Sequence, residues 1–158
     1  MGKESLIFGI DFDGTCVTQE FPRVGRDIGA APVLKALVDA GHRLILWTMR
    51  SDVENPTSTD PTIINQPGQY LTDAVNWFAT RGIPLWGINE NPDQSSWTSS
   101  PKAYCNTYID DAALGCPLLF VKGGRPCVDW VEVANSLHYK GHISTRPISQ
   151  ILIERIGL

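Results

Sequence analysis

Residues 7–18 read IFGIDFDGTCVT. An apolar run stops abruptly at two aspartates one residue apart, Asp11 and Asp13, and Gly14 and Thr15 follow at once. The segment 6–10, LIFGI, is rich in the β-branched and aromatic residues that favour a strand. Both carboxylates therefore fall just past its carboxyl end. Asp-Gly is also a common turn dipeptide, so this stretch alone leaves two readings, a surface turn or a site that uses paired carboxylates. The remainder of the chain separates them.

Downstream, short apolar runs alternate with helical stretches. Residues 31–41 predict a helix: Pro32 suits the first turn, Val33, Leu34, Leu37 and Val38 form an apolar stripe, and Gly41 suits the C-terminal cap. Residues 42–48, HRLILWT, predict a second strand, apolar on both faces after Arg43 as in a buried parallel sheet. Residues 50–68 hold three prolines and read as a long loop, a length that is usually functional or disordered. A helix over 69–82 follows, with Leu71, Val75 and Phe78 on one face and Gly82 as its cap. Further strands are predicted at 84–88, 107–110 and 117–122, a polar loop at 89–102, a helix at 128–141 and a helical tail.

This alternation predicts a single α/β domain over 1–158. The expected architecture is a Rossmann-like three-layer sandwich around a mainly parallel five-stranded sheet, built from right-handed crossovers. In such sheets ligands bind beyond the carboxyl ends of the strands.

Composition narrows the function classes. A net charge of −4 over 158 residues argues against a broad basic footprint, so nucleic-acid binding is not indicated. Apolar runs such as LLFV are far short of the roughly 20 residues that cross a bilayer. No signal-peptide pattern opens the chain, and the expected location is cytoplasmic. Cys16, Cys105, Cys116 and Cys127 include no C-x-x-C pair; they read as small buried hydrophobes, not a zinc site or a disulfide. His138 and His142 have helical zinc spacing, but Gly141 interrupts the helix and no third ligand completes the set, so they read as a surface pair. Trp47, Trp77, Trp86 and Trp130 read as core. Trp97, in the polar loop, is a candidate substrate contact, and oligomerisation is left open.

On the predicted topology, Asp11 and Asp13 follow the first strand, Thr48 ends the second, and Asp110-Asp111 end the fourth with Lys102 upstream. All fall on one edge of a parallel sheet. Carboxylates converging there repel unless a cation lies among them. An all-oxygen set suits Mg²⁺, which takes one or two carboxylates and keeps waters. Lys102 and the Thr48 hydroxyl would then meet phosphoryl oxygens.

The order Asp-x-Asp-Gly-Thr, Thr, Lys, Asp-Asp resembles the haloacid-dehalogenase-like (HAD) phosphohydrolase superfamily across residues 7–111. FPRVGRDIG and HRLILWTMR are similar to segments of small HAD-type hydrolases of bacteria and phages. The resemblance implies a Mg²⁺-dependent phosphatase with no cap or a minimal one. Asp11 would be the nucleophile that forms an aspartyl-phosphate, and Asp13 the general acid and base. The metal ligands would be Asp11, the backbone carbonyl of Asp13, and Asp110 or Asp111. Thr48, with backbone N–H groups near Gly14 and Met49, would hold the phosphoryl group. Lys102 would neutralise charge, with Arg50 as its substitute; Arg23 and Arg26 are also placed to meet an anion.

The substrate would be a small phosphorylated compound or a phosphorylated macromolecular end. A nucleotidase, a polynucleotide-end phosphatase, or a HAD-like phosphate- and metal-binding protein with little turnover are the alternatives. The gaps 14–30 and 89–100 are too short for a folded cap, which leaves 50–68 as a candidate lid. A receiver-type signalling domain places its acidic pair and lone phosphorylated Asp in a different order. A P-loop kinase needs G-x-x-x-x-G-K, which the chain lacks.

Overall fold

β1 (Ile7–Ile10) is buried at all four positions, because it is an inner strand with partners on both sides. The structure is a computed structural model that describes residues 4–55, 58–60 and 66–158. After β1 the chain forms α1 (Ala30–Asp39), β2 (Arg43–Leu46), β3 (Asp52–Val53), β4 (Gly68–Gln69), α2 (Tyr70–Thr80) and β5 (Gly87–Ile88). A 3₁₀ turn (Gln94–Ser96), β6 (Thr107–Ile109), β7 (Leu118–Leu119), β8 (Cys127–Val128), α3 (Trp130–Tyr139) and α4 (Ile148–Glu154) complete it.

The central sheet has the order β5-β2-β1-β6, and every pairing in it is parallel. The register sets Phe8 beside Leu44 and Ile10 beside both Leu46 and Ile109. Because side chains alternate along a strand, these residues share one face. They join a single core with Leu34 and Leu37 of α1, Trp77 and Phe78 of α2, Trp130 and Leu137 of α3, and Ile151 of α4. The opposite face carries Gly9, where an added Cβ would lie 2.8 Å from Tyr108 and 2.9 Å from Cys105. The extended segment leading into β6 covers that face, so the third layer is mostly irregular chain with one 3₁₀ turn.

The α/β sandwich is as expected, with one correction. The main sheet has four strands, not five. Within 117–122 only Leu118 and Leu119 are extended, and they pair antiparallel with Val128 and Cys127. The cause is the length of the connection: residues 110–117 are fewer than the dozen or so that a parallel crossover needs. Gly123, with φ of 73°, lies in the turn that sends the chain back.

The base of the 50–68 loop is a two-stranded ribbon, Asp52 opposite Gln69 and Val53 opposite Gly68. Asp52 also accepts from the Thr72 N–H at 2.9 Å and the Thr72 hydroxyl at 2.5 Å, tying the ribbon to α2. Part of the expected lid, 56–57 and 61–65, lies outside the described residues. Cys16, Cys105, Cys116 and Cys127 are free thiols. His138 is exposed, whereas His142 is half-buried and packs edge-on against Phe8 and His42. No helix among the described residues is long and apolar enough to cross a membrane.

Candidate functional site

The strand order places a switch point at β1: the chain leaves it for β2 on one side, and β6 joins it on the other. Ligand clefts of parallel sheets form at such points. Asp11 extends the ladder one residue past β1, its N–H donating to Ile109 at 3.0 Å. The chain then folds into a tight loop around the Phe12 carbonyl, which accepts from Thr15 at 3.1 Å and Cys16 at 2.8 Å. Phe12 itself is fully buried and meets Trp77 edge-on. The aromatic side chain between the two aspartates is thus the anchor of the loop.

Thr15 joins the ends of β1 and β6. Its hydroxyl donates to Asp11 Oδ2 at 2.7 Å and accepts from the Asp111 N–H at 3.1 Å. Below it, the Trp130 indole N–H donates to the Thr15 carbonyl at 2.7 Å. Gly14 has φ of 79°, and a Cβ there would lie 2.5 Å from Asp111 Oδ2. Its N–H donates to the Val17 carbonyl at 2.8 Å. This corrects the phosphoryl-binding role expected of Gly14: its donor is committed, and its contribution is to let Asp111 approach.

One carboxylate oxygen each from Asp11, Asp110 and Asp111 lie within 4.8 Å of one another. Burial pushes the Asp11 carboxyl up from 3.8 to about 7, partly opposed by the Thr15 hydroxyl. Burial and the Asp110 charge raise Asp111 as well. Asp110 accepts from the Ala112 N–H at 2.8 Å. Half-buried carboxylates at this separation are unfavourable as anions without a cation. The all-oxygen donor set fits a hard divalent ion such as Mg²⁺.

Asp13 has different company. Arg50 grips both its oxygens, from Nε and from Nη2, at 2.7 Å each. The guanidinium also donates to the carbonyls of Pro22 at 3.3 Å, Arg23 at 2.8 Å and Tyr70 at 3.2 Å. It lies 5.1 Å from the centre of the Phe12 ring and 5.0 Å from that of Phe21. With a side chain only 1 % exposed, Arg50 requires these partners, since a buried charge without them is strongly unfavourable. Arg50 therefore clamps Asp13 to the loops and has no donor left for a substrate, which corrects its expected binding role. The Asp13 carboxylate stands outside the three-carboxylate cluster.

Thr48 and Met49 line the cleft as expected. The Thr48 N–H donates to Asn89 Oδ1 at 2.8 Å, and its hydroxyl oxygen accepts from the Arg50 N–H at 3.2 Å. Asn89 adopts a left-handed φ of 53°, which Asn tolerates better than most residues. Met49 stands at the rim, almost wholly exposed.

Lys102 and Trp97 do not line this cleft. Both line a separate groove with Tyr104, Cys105 and Tyr108, where Lys102 Nζ lies 5.6 Å from the Tyr108 ring centre. Trp97 meets Tyr104 edge-on. The segment 97–106 crosses the face of the sheet that carries Gly9, and takes both side chains with it. Arg23 pairs with Glu20 at 3.9 Å, and Arg26 donates to the Gly157 carbonyl at 2.9 Å.

The cleft has a volume of about 440 Å³, and its remaining walls are Gln19, Phe21, Ala112 and Arg125. Arg125 comes from the β7–β8 turn, and its charge opposes the upward shift of Asp111. Sequence reasoning passed over it by taking 117–122 as one strand. Gly123-Gly124 between two apolar runs is a hairpin signal that would have brought the turn to attention.

No protein-family model matches the chain, and no curated protein matches it. A solved structure from Bacteroides thetaiotaomicron, described only as that of a conserved protein coded by a locus, is similar at 28% identity and a TM-score of 0.60. The match covers 87% of this chain and 92% of that one. The likeness supports the α/β fold.

Proposed function

We propose that the protein is a Mg²⁺-dependent phosphomonoester hydrolase whose nucleophile is Asp11. The observation that carries this reading is the convergence of Asp11, Asp110 and Asp111 within 4.8 Å at the switch point of the sheet. The ordered motifs resembling HAD phosphohydrolases support it, as does the Thr48 hydroxyl on the same cleft.

Asp11, Asp110 and Asp111 would hold the ion, which supplies charge neutralisation for the carboxylates and for the phosphoryl oxygens. An Asp11 oxygen attacks phosphorus, and the bond to the leaving oxygen breaks. Protonated Asp13 gives its proton to that oxygen, and the resulting carboxylate then takes one from the water that hydrolyses the aspartyl-phosphate. Thr15 orients Asp11 through the 2.7 Å hydrogen bond. Thr48 donates its hydroxyl proton to a phosphoryl oxygen. The substrate is a small phosphorylated compound or a phosphorylated macromolecular end, including a nucleotide or a polynucleotide terminus.

One observation favours a second reading. Both oxygens of Asp13 are held by Arg50, which hinders proton transfer and suits a phosphate- and metal-binding protein with little turnover. Phosphate release from a panel of sugar phosphates, nucleotides and phosphorylated oligonucleotides, with Mg²⁺ or with EDTA, separates the two. The hydrolase reading expects Mg²⁺-dependent release that Asp11→Asn abolishes. Equal release by wild type and variant overturns the mechanism, whereas Mg²⁺-dependent phosphate binding without release favours the second reading.

A further inference from the structure

We infer that Arg125 grips the phosphoryl oxygens of the substrate, in the role that the motif order assigns to Lys102; this rests on the phosphohydrolase reading of the same cleft. Three basic side chains compete for that role, and their surroundings differ. Lys102 lines another groove, against Tyr108. Arg50 lines the cleft, but Asp13 and three backbone carbonyls occupy its guanidinium. Arg125 lines the cleft beside Asp110 and Asp111 and is exposed. Among the described residues it makes no hydrogen bond or ion pair.

Its backbone is well placed for the task. β7 and β8 pair through Leu118–Val128 and Leu119–Cys127. The Val128 N–H then donates to the Gly14 carbonyl at 2.9 Å, so the hairpin bearing Arg125 is bonded directly to the loop bearing Asp11 and Asp13. Charge counting points the same way. Arg50 offsets Asp13, which leaves Asp11, Asp110 and Asp111 facing the cleft. A divalent ion offsets two of those charges, and a phosphomonoester brings about two more. A further cation is needed, and a guanidinium fork matches phosphoryl oxygens better than an ammonium does.

The test measures inorganic phosphate binding by calorimetry in the presence of Mg²⁺, alongside kcat and KM on a phosphomonoester that the wild type hydrolyses. Arg125→Ala is expected to weaken phosphate binding about tenfold or more, the scale of one charge-assisted hydrogen bond. Arg125→Lys retains part of the affinity. Lys122→Ala, which removes the same charge from the same turn, changes it by less than about twofold. Unchanged phosphate affinity in Arg125→Ala, in an enzyme that still hydrolyses esters, overturns the inference and leaves the hydrolase reading intact. Equal losses in the Arg125 and Lys122 variants also overturn it, by reducing Arg125 to part of a general field. A wild type that neither binds phosphate nor hydrolyses any ester removes the hydrolase reading, and the inference with it.

Discussion

Asp11 and Asp13 stand two residues apart on one loop, yet their surroundings are opposite. Asp11 is partly buried with Asp110 and Asp111 close by, and its side-chain partner is the Thr15 hydroxyl. Asp13 has both oxygens in the fork of a buried arginine. Phe12, buried between them, holds the chain so that each carboxylate meets a different set of neighbours. At Asp13 the chain supplies its own cation. At the Asp11 cluster no buried arginine or lysine among the described residues offsets the charge, and such a cluster favours an external cation.

Removing the Asp11 carboxylate, the proposed nucleophile, tests the cluster side most severely. Asp11→Asn is expected to lower turnover about a thousandfold or more, measured as Mg²⁺-dependent phosphate release. A smaller loss would move the chemistry away from Asp11. On the clamp side, Arg50→Ala leaves Asp13 without its partner and is expected to destabilise the fold by about 3–5 kcal/mol in urea unfolding. Removing both members together, as Arg50→Met with Asp13→Leu, restores part of that loss if the pair and not the arginine alone is responsible.

Gly14→Ala bears on the contact between the two sides. It places a Cβ against Asp111 at a left-handed φ of 79°, at an expected cost of about 1–3 kcal/mol. The pH dependence of stability bears on Asp11, with Asp111 contributing in the same direction. Its carboxyl is raised from 3.8 to about 7 by burial, so between those values the folded state binds more protons than the unfolded state. The metal-free protein should therefore lose stability as pH rises from about 4 to about 7 and level off above. Melting temperatures in EDTA are expected to show this slope, Mg²⁺ to flatten it, and Asp11→Asn to reduce it; a slope unchanged in Asp11→Asn would assign it to other groups. The smallest effect belongs to Lys102→Ala, which should leave kcat/KM within about twofold, as for an exposed charge outside the cleft. A large fall there would return Lys102 to the site.

Much of the scaffold was legible from local pattern. Each helix and each strand of the central sheet has a matching apolar run, because burial of one face imposes a period on the sequence that needs no partner to be read. The region 117–122 was not legible in that way. LLFV is equally apolar whether it joins a parallel sheet or folds into a hairpin, and the choice lay in the length of its connections. Asp11, Asp13, Thr48, Met49, Asp110 and Asp111 were all legible as cleft residues, because each directly follows a strand whose direction the alternation sets. Thr15 as the joint between β1 and β6, Asn89 as the support of Thr48, and Arg125 as a wall were not. Their roles depend on contacts between segments far apart in the chain.

The sequence by itself determined the α/β alternation and the carboxylates that collect at one edge of the sheet. Periodicity and strand direction are local properties, and they suffice for that. Only the tertiary structure decided which cation each carboxylate meets. Arg50 and Lys102 were interchangeable as candidates along the chain, but one is buried against Asp13 and the other lies in a separate groove along Tyr108. Arg125, far beyond the last motif, returns to the cleft because a short hairpin carries it there. Charge interactions fall off with distance in space and not along the chain, so the pairing of charges became readable only once the chain was folded.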